Sequence, residues 1–136
     1  TGKVVFSNYW PGSGADSDFP VRAFLYDDPN QLFQIATSNV VAAANTEAEI
    51  RAAVFANIAF ATGNSGSTAT GLSSATADLN TIATTNTLAL RIMRIQDDPA
   101  NSDFTAAGIP LIVRINNHFN APTGSIAAAT VSTTGV

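Results

Sequence analysis

His118 is the only histidine of the chain, and any Ser-His-acid catalysis would therefore depend on it. It follows a strand-like run, residues 111–117, which ends in Asn116-Asn117. An α/β-type serine hydrolase also needs a Gly-x-Ser-x-Gly turn, and the sequence contains none. A lone histidine at a strand end is typical of a structural or surface residue. We therefore predict no catalytic residues and no enzymatic activity, and a hydrolase that uses His118 with a nearby aspartate is the least favoured hypothesis.

Metal and phosphate chemistry have equally little support. One histidine and no cysteine cannot supply the three or four nitrogen or sulfur ligands of a zinc site. The glycine-rich residues 62–68 lack the lysine of a phosphate-binding loop, and Gly12-x-Gly14 lacks the third glycine of a dinucleotide site. Oxygen ligands do cluster in one turn region, at Asp97, Asp98, Asn101 and Asp103. Their spacing differs from that of a calcium-binding helix-loop-helix, so we predict turn capping, no metal site and no cofactor.

Composition limits the partners. The 136 residues carry six basic and ten acidic side chains, for a net charge of -4, and only 12% of the residues are charged. That balance gives no basic surface for a phosphate backbone, so we predict no nucleic acid partner. No apolar run reaches the roughly 18 residues of a membrane-spanning helix, which predicts no membrane partner. The absence of cysteine excludes disulfides and leaves the redox compartment open.

The basic residues are mostly arginines, and most of them fall in strand-like runs. The chain also repeats an acidic turn, Asp-Asp-Pro, at residues 27–29 and 97–99. Because arginine forms bidentate pairs with carboxylates, we predict pairs between strand arginines and these turns, within or between subunits. A solvated strand face is the alternative. The arginines are Arg22, Arg51, Arg91, Arg94 and Arg114.

The elements that carry these charged residues are predicted to be mostly strands. Alternating apolar residues predict a hairpin over residues 21–36, with its turn at Asp27-Asp28-Pro29 and its second strand over residues 32–36. Further strands are predicted over residues 88–93 and 111–117, and weaker ones over residues 57–62 and 3–7. One face of the four clearest runs is predicted to form the core: Val21, Ala23, Leu25, Leu32, Ile35, Leu88, Leu90, Ile92, Leu111, Val113 and Ile115.

One helix is predicted to follow Thr46. The Thr46 hydroxyl can cap the free backbone N–H groups while Glu49, three residues on, returns the bond, and Ile50 and Val54 then lie one turn apart. The helix should be short, about two turns. Strands with a single small helix predict an all-β fold, either a small barrel or a sandwich.

Two stretches fit no packed element. Residues 62–87 are rich in Thr, Ser, Ala and Gly with only Asp78 charged, which predicts a long extended loop. Residues 120–136 carry no charged side chain, which predicts an extended C-terminal arm that is disordered alone or lies on a neighbouring subunit. We therefore divide the chain into a single β-rich domain, residues 1–119, and an arm, residues 120–136. The loop and the arm are expected to form most of the contact with partners.

Four parts of the sequence form a pattern: residues 1–11, 23–35, 66–71 and 113–118. The most specific part is Asp27-Asp28-Pro29 followed by Phe33 and Ile35. Over most of the chain this pattern resembles a family of virion structural proteins from tailed bacteriophages, and it departs from that family around residues 47–61. In the family, the segment similar to residues 1–11 lies well inside a longer protein, so we expect this chain to be the C-terminal part of a longer one.

The resemblance implies a head decoration, or cement, protein on the exterior of a phage capsid. Its partners would then be the major capsid protein and copies of itself, with a trimer as the first expectation because decoration proteins often occupy threefold positions. A low-charge, hydroxyl-rich surface suits such contacts because few charges must be desolvated. The alternative is a secreted or cell-surface β-domain that binds glycans or partner proteins.

Overall fold

The computed structural model describes residues 4–10, 12, 20–39, 41, 44–100, 103–118 and 120. Within them the chain forms five strands and one helix. In chain order these are β1 (Leu32–Ala36), α1 (Glu47–Ala52), β2 (Asn57–Phe60), β3 (Ala77–Ala83), β4 (Leu90–Ile95) and β5 (Pro110–Ile115). The predicted all-β class with one short helix is confirmed.

The strands form one antiparallel sheet in the order β1-β5-β4-β2-β3. The sheet does not close into a barrel, but its two edges meet at one corner. There Thr37, just after β1, forms a single parallel bridge with Ala77 at the start of β3. The Ser38 N–H donates to the Ala77 carbonyl (2.9 Å), and the Asn39 Oδ1 accepts from the Leu79 N–H (3.0 Å). These bonds cover the first residues of the β3 edge, which would otherwise be open to another strand.

Helix α1 begins at the capping box that the sequence predicts. Thr46 Oγ1 accepts from the Glu49 N–H (3.3 Å), and Glu49 Oε2 accepts from the Thr46 N–H (3.1 Å). The helix is six residues long, and it is held against the sheet by Ile50, which is fully buried. Six residues are too few for a helix that is stable in isolation. The stability of α1 therefore depends on its capping box and on the burial of Ile50.

The core lies between α1 and one face of the sheet. Alternation along the strands supplies most of it, and the predicted core residues Ile35, Leu90, Ile92, Leu111 and Val113 are all buried. Leu88 and Ile115 are half-buried. The full cluster of buried residues is Ile35, Ala44, Ile50, Ala53, Ile58, Ala77, Leu79, Leu90, Ile92, Ile95, Ile109, Leu111 and Val113.

The predicted hairpin over residues 21–36 is wrong. Only its second strand forms, as β1, and β1 pairs with β5 instead. The Asp28 carbonyl accepts from the Gln31 N–H (3.1 Å) across Pro29, a turn of the kind that splays the flanking chains rather than pairing them. The predicted core residues Val21, Ala23 and Leu25 consequently lie outside the core. Leu32 also lies outside it, because it is opposite Arg114 on the face of β1 that is turned away from the core.

The predicted loop over residues 62–87 is too long, because its second half contains β3. Ala77 and Leu79 of β3 face the core, Asp78 and Asn80 lie on the other side, and Ile82 packs against the core. The alternation covers only four residues before the pairing with β2 becomes irregular, which is too short to distinguish the strand from a loop by its pattern. The loop proper covers residues 61–76. No strand forms over residues 4–7, and the predicted arm, apart from Asn120, lies outside the described residues.

Candidate functional site

The residues that could have carried chemistry are engaged in local structure. His118 is half-buried, and its Nδ1 accepts a hydrogen bond from the Asn120 N–H (3.2 Å). In a Ser-His-acid arrangement this nitrogen instead donates to the carboxylate. Within the described residues, no group of three or more histidine, cysteine or acidic side chains could hold a metal ion.

Asp98 and Asp103 cap turns, as predicted, whereas the Asp97 carboxylate lies 3.6 Å from the Arg51 guanidinium. Asp98 Oδ1 accepts from the Ala100 N–H (3.0 Å). Asp103 Oδ1 accepts from the Thr105 hydroxyl (2.6 Å) and the Thr105 N–H (2.9 Å). These two bonds, the hydroxyl first, lower the pKa of the Asp103 carboxyl because they favour its charged form. Asn101 lies outside the described residues.

The first candidate surface is an N-terminal apolar segment, residues 4–10, that forms no strand. Val5, Phe6 and Trp10 are 77%, 84% and 70% exposed, and Val4 is similarly open. Single apolar side chains on a surface are ordinary, but several large ones in one short segment mark a contact site. Because aromatic residues contribute much of the binding energy at interfaces, Phe6 and Trp10 are the side chains we expect to anchor such a contact.

A neutral loop, residues 61–76, continues this surface. None of its side chains is charged, and most of its residues are exposed. The loop is held by its own bonds, including Ser67 N–H to the Leu72 carbonyl (2.9 Å) and Gly71 N–H to the Ser67 carbonyl (2.8 Å). Gly71 has a φ of 68°, and a Cβ there would collide with the Asn8 side chain. The absence of a side chain at Gly71 therefore lets the N-terminal apolar segment lie directly against the neutral loop.

An acidic-aromatic segment, residues 20–28, is the third exposed feature. Phe24, Leu25 and Tyr26 are 89%, 82% and 79% exposed, and Asp27 and Asp28 follow them directly. The Tyr26 ring packs edge-on against Phe33 of β1, with ring centroids 6.4 Å apart. The segment thus lies beside the β1 edge of the sheet without pairing to it.

The side of the sheet opposite the core carries three arginines. We call this surface the arginine face and define it as Leu32, Phe55, Arg91, Arg94 and Arg114. Leu32, Arg114 and Arg91 are directly opposite one another on β1, β5 and β4. Arg94 lies opposite Ile112, which is buried but outside the core cluster. The Arg91 guanidinium lies over the Phe55 ring, 5.9 Å from its centroid. Basic and apolar groups therefore share this face.

The predicted pairs between strand arginines and the Asp-Asp-Pro turns do not form among the described residues of one chain. Within the described residues, the ion pairs both involve Arg51 of α1, with Glu47 (2.6 Å) and with Asp97 (3.6 Å). An Asp-Asp-Pro turn thus does meet an arginine, but that arginine is on the helix. The strand arginines have no carboxylate at ion-pairing distance in the part of the chain that the structure describes.

A buried polar pair beside the arginine face was not predicted. Asn116 Nδ2 donates to Asn57 Oδ1 and to the Leu88 carbonyl (both 2.9 Å), while Asn57 Nδ2 donates to the Thr85 carbonyl (3.0 Å). Because backbone carbonyls can only accept, they set the orientation of both amides. The pair ties the connection after β3 to β2 and β5. The Asn116-Asn117 repeat at a strand end was the available signal, since Asn117 also donates to this connection.

Comparisons with known proteins identify no relative of this chain. The chain matches no protein-family model, no curated protein and no solved structure. A search of the described residues found no helix of the length and apolar character that crossing a membrane requires.

Proposed function

We propose that this protein is a structural virion protein that decorates and stabilises the capsid shell of a tailed bacteriophage. The proposal rests on one structural observation, the joined surface formed by the N-terminal apolar segment and the neutral loop, together with the sequence resemblance described above. The two elements are in contact at Asn8 and Gly71. They offer exposed aromatic anchors beside a loop without a charged side chain.

Such a surface suits a permanent contact with a repeated partner. Burying it desolvates few charges, and Phe6 and Trp10 provide large apolar areas that gain from leaving water. Hydroxyl and backbone groups of the loop can form hydrogen bonds with the partner in place of those with water. In this proposal the partners are the major capsid protein and further copies of the chain, with three copies as the starting expectation, and the site of action is the capsid exterior.

The test is add-back to particles. Particles of a tailed phage that carries this gene, prepared with the gene deleted, are mixed with the purified protein at concentrations at which it is monomeric. We expect saturable binding at a fixed ratio to the major capsid protein and a higher melting temperature of the particles. Binding without a fixed ratio, or none, would contradict the proposal, and binding to a glycan array instead would favour a secreted or cell-surface domain.

A pair of variants localises the contact. Trp10→Ser should weaken particle binding at least about tenfold, because it removes an anchor aromatic from the surface. Ala107→Ser is the control, since residue 107 is exposed and lies outside both this surface and the acidic-aromatic segment. Neither change should alter the melting temperature of the free protein. Equal loss of binding in both variants would show that this surface is not the capsid contact.

A further inference from the structure

We propose that the arginine face of one copy of this chain binds the acidic-aromatic segment, residues 20–28, of a second copy. This deepens the self-association proposed above and rests on that part of the proposed function, but it does not depend on the capsid. It identifies the two surfaces that meet and the chemistry that joins them.

Among the described residues, no carboxylate lies at ion-pairing distance from the three arginines of the arginine face. Arg91 and Arg114 are directly opposite each other on adjacent strands, an arrangement in which like charges repel. Arg94 lies on the same face, and no carboxylate pairs with any of the three within the described residues. Three arginines without a carboxylate at ion-pairing distance among the described residues, in a chain whose net charge is -4, form a local site for an acidic group from outside.

Phe55 adds a second and independent observation. Its backbone has a φ of 71°, a conformation in which a bulky residue is strained, and its side chain is 60% exposed. This conformation belongs to the connection from α1 to β2, where the Phe55 N–H donates to the Ile92 carbonyl (2.7 Å), and it leaves the ring on the arginine face rather than in the core. Beneath Arg91, the Phe55 ring both orients the guanidinium and gives the face an apolar floor.

The acidic-aromatic segment is complementary to this face in charge and in character. Asp27 and Asp28 supply carboxylates for the arginines, and neither forms an ion pair among the described residues. Phe24 and Tyr26, both largely exposed, can lie on the guanidinium planes and on the Phe55 ring. One contact would then cover both aromatic rings of the segment and pair Asp27 and Asp28 with two of the three arginines, while Arg22 lies five residues before Asp27.

The same chain does not make this contact with its own segment. The turn that carries the aspartates is fixed beside β1 by the bond from the Gln31 N–H to the Asp28 carbonyl (3.1 Å). The Asn120 amide also donates to the Asp27 carbonyl (3.2 Å), and Tyr26 packs on Phe33. Held in this way, neither carboxylate reaches any of the described arginines of its own chain. A second copy carries the same segment, held in the same way, and can bring its two carboxylates to the arginine face from outside.

Charge reversal tests the contact on the full chain without capsids. We expect the wild-type protein to self-associate in sedimentation equilibrium, more weakly as NaCl rises from about 0.05 to about 0.5 M, because salt screens the ion pairs. Asp27→Lys and Arg114→Glu should each weaken self-association at least about tenfold. A mixture of these two variants should form mixed complexes, because the face made acidic at position 114 then meets the segment made basic at position 27.

Two controls separate this contact from damage to the fold. Asp97→Lys makes the same charge change in the other Asp-Asp-Pro turn and should leave self-association at the wild-type level. Arg114→Glu places an opposite charge beside Arg91, so it should raise the melting temperature of the monomer while it weakens association.

Three results would each overturn the inference. These are a wild-type protein that stays monomeric, an equal effect of Asp97→Lys and Asp27→Lys on self-association, and a mixture of Asp27→Lys and Arg114→Glu that does not associate. None of these results bears on the capsid add-back experiment, which uses the protein as a monomer, so the failure of one proposal remains distinct from the failure of the other.

Discussion

Buried and exposed leucines of this chain should contribute very different amounts to the free energy of unfolding. Leu90 is 2% exposed and lies in the core cluster, while Leu25 is 82% exposed although both belong to alternating apolar runs. We expect Leu90→Ala to lower the free energy of unfolding by about 3 kcal/mol through lost burial and a residual cavity. Leu25→Ala, the matched control, should change it by less than about 0.5 kcal/mol. Urea denaturation measures both, and equal effects would contradict the assigned core.

Phe55 combines a strained backbone with an exposed ring. Phe55→Gly should leave the free energy of unfolding unchanged or raise it by up to about 1 kcal/mol, because relief of the strain offsets the lost contact with Arg91. The same change should weaken self-association. Phe55→Asn, which also tolerates a positive φ, serves as a second variant. If both variants lost several kcal/mol of stability, the ring would be a structural residue and its surface role would be wrong.

At the residue scale, the sequence predicts the buried centre well and the exposed segments poorly. Ile92 and Val113 are buried because β4 and β5 each have a strand on both sides. Ile35 is buried because β1 pairs with β5 along its whole length. Val21 and Leu25 alternate in the same way, but the turn at Asp28 does not return their segment to the sheet. Alternation indicates strand character and contains no information on whether a partner strand exists. Phe55 could not be predicted, because its φ depends on how α1 joins β2.

At the scale of elements, the Asn57–Asn116 pair fixes the connection between β3 and β4. Asn116→Ala removes the donor to Asn57 Oδ1 and to the Leu88 carbonyl, and it leaves both without that bond. We expect a loss of about 1 to 3 kcal/mol and faster amide exchange around residues 84–89. Asn117→Ala is the control, since Asn117 is exposed and its bond to the Thr87 carbonyl is long (3.4 Å). Similar losses in both variants would contradict this role.

The capping box of α1 predicts a pH dependence. The Thr46 hydroxyl, then the Asn45 N–H, lower the pKa of the Glu49 carboxyl below its usual value of 4.5. A folded-state pKa that is lowered stabilises the fold above the unfolded pKa, and this contribution is lost as the pH falls through the folded-state pKa. Glu49→Gln should therefore lower the melting temperature at pH 7, with a difference from wild type that shrinks at the acid end. A difference that stays constant down to acid pH would contradict the assignment.

Elements that are determined by residues close together in the sequence could be predicted, and elements that depend on contacts between distant residues could not. The helix follows from Thr46 and Glu49, which lie three residues apart and need no other part of the chain. β3 was missed because its alternation is confined to residues 77–80 and because some of its bond partners, such as Ser38, lie about forty residues earlier. The arginine face was foreseen only as strand arginines, since the register that aligns Arg91 with Arg114 is set by the β4–β5 pairing.

At the scale of the whole molecule, the two proposed contacts lie at different ends of β2. The neutral loop follows Phe60 at the end of β2, while Asn57 at its start is opposite Arg91 of the arginine face. One copy can therefore bind a shell through the loop and a second copy through the arginine face. A subunit with both contacts would couple its neighbours to each other as well as to the shell, which is how a decorating layer would add stability.

Electron cryo-microscopy of the assembled particle tests the central claim most directly. At a resolution that traces this chain, we expect its five-stranded sheet on the outer surface of the capsid, with the N-terminal apolar segment and the neutral loop against the major capsid protein. The arginine face should meet the acidic-aromatic segment of a neighbouring copy. A particle whose exterior lacks this chain, or a chain that contacts the shell through neither surface, would contradict the proposed role.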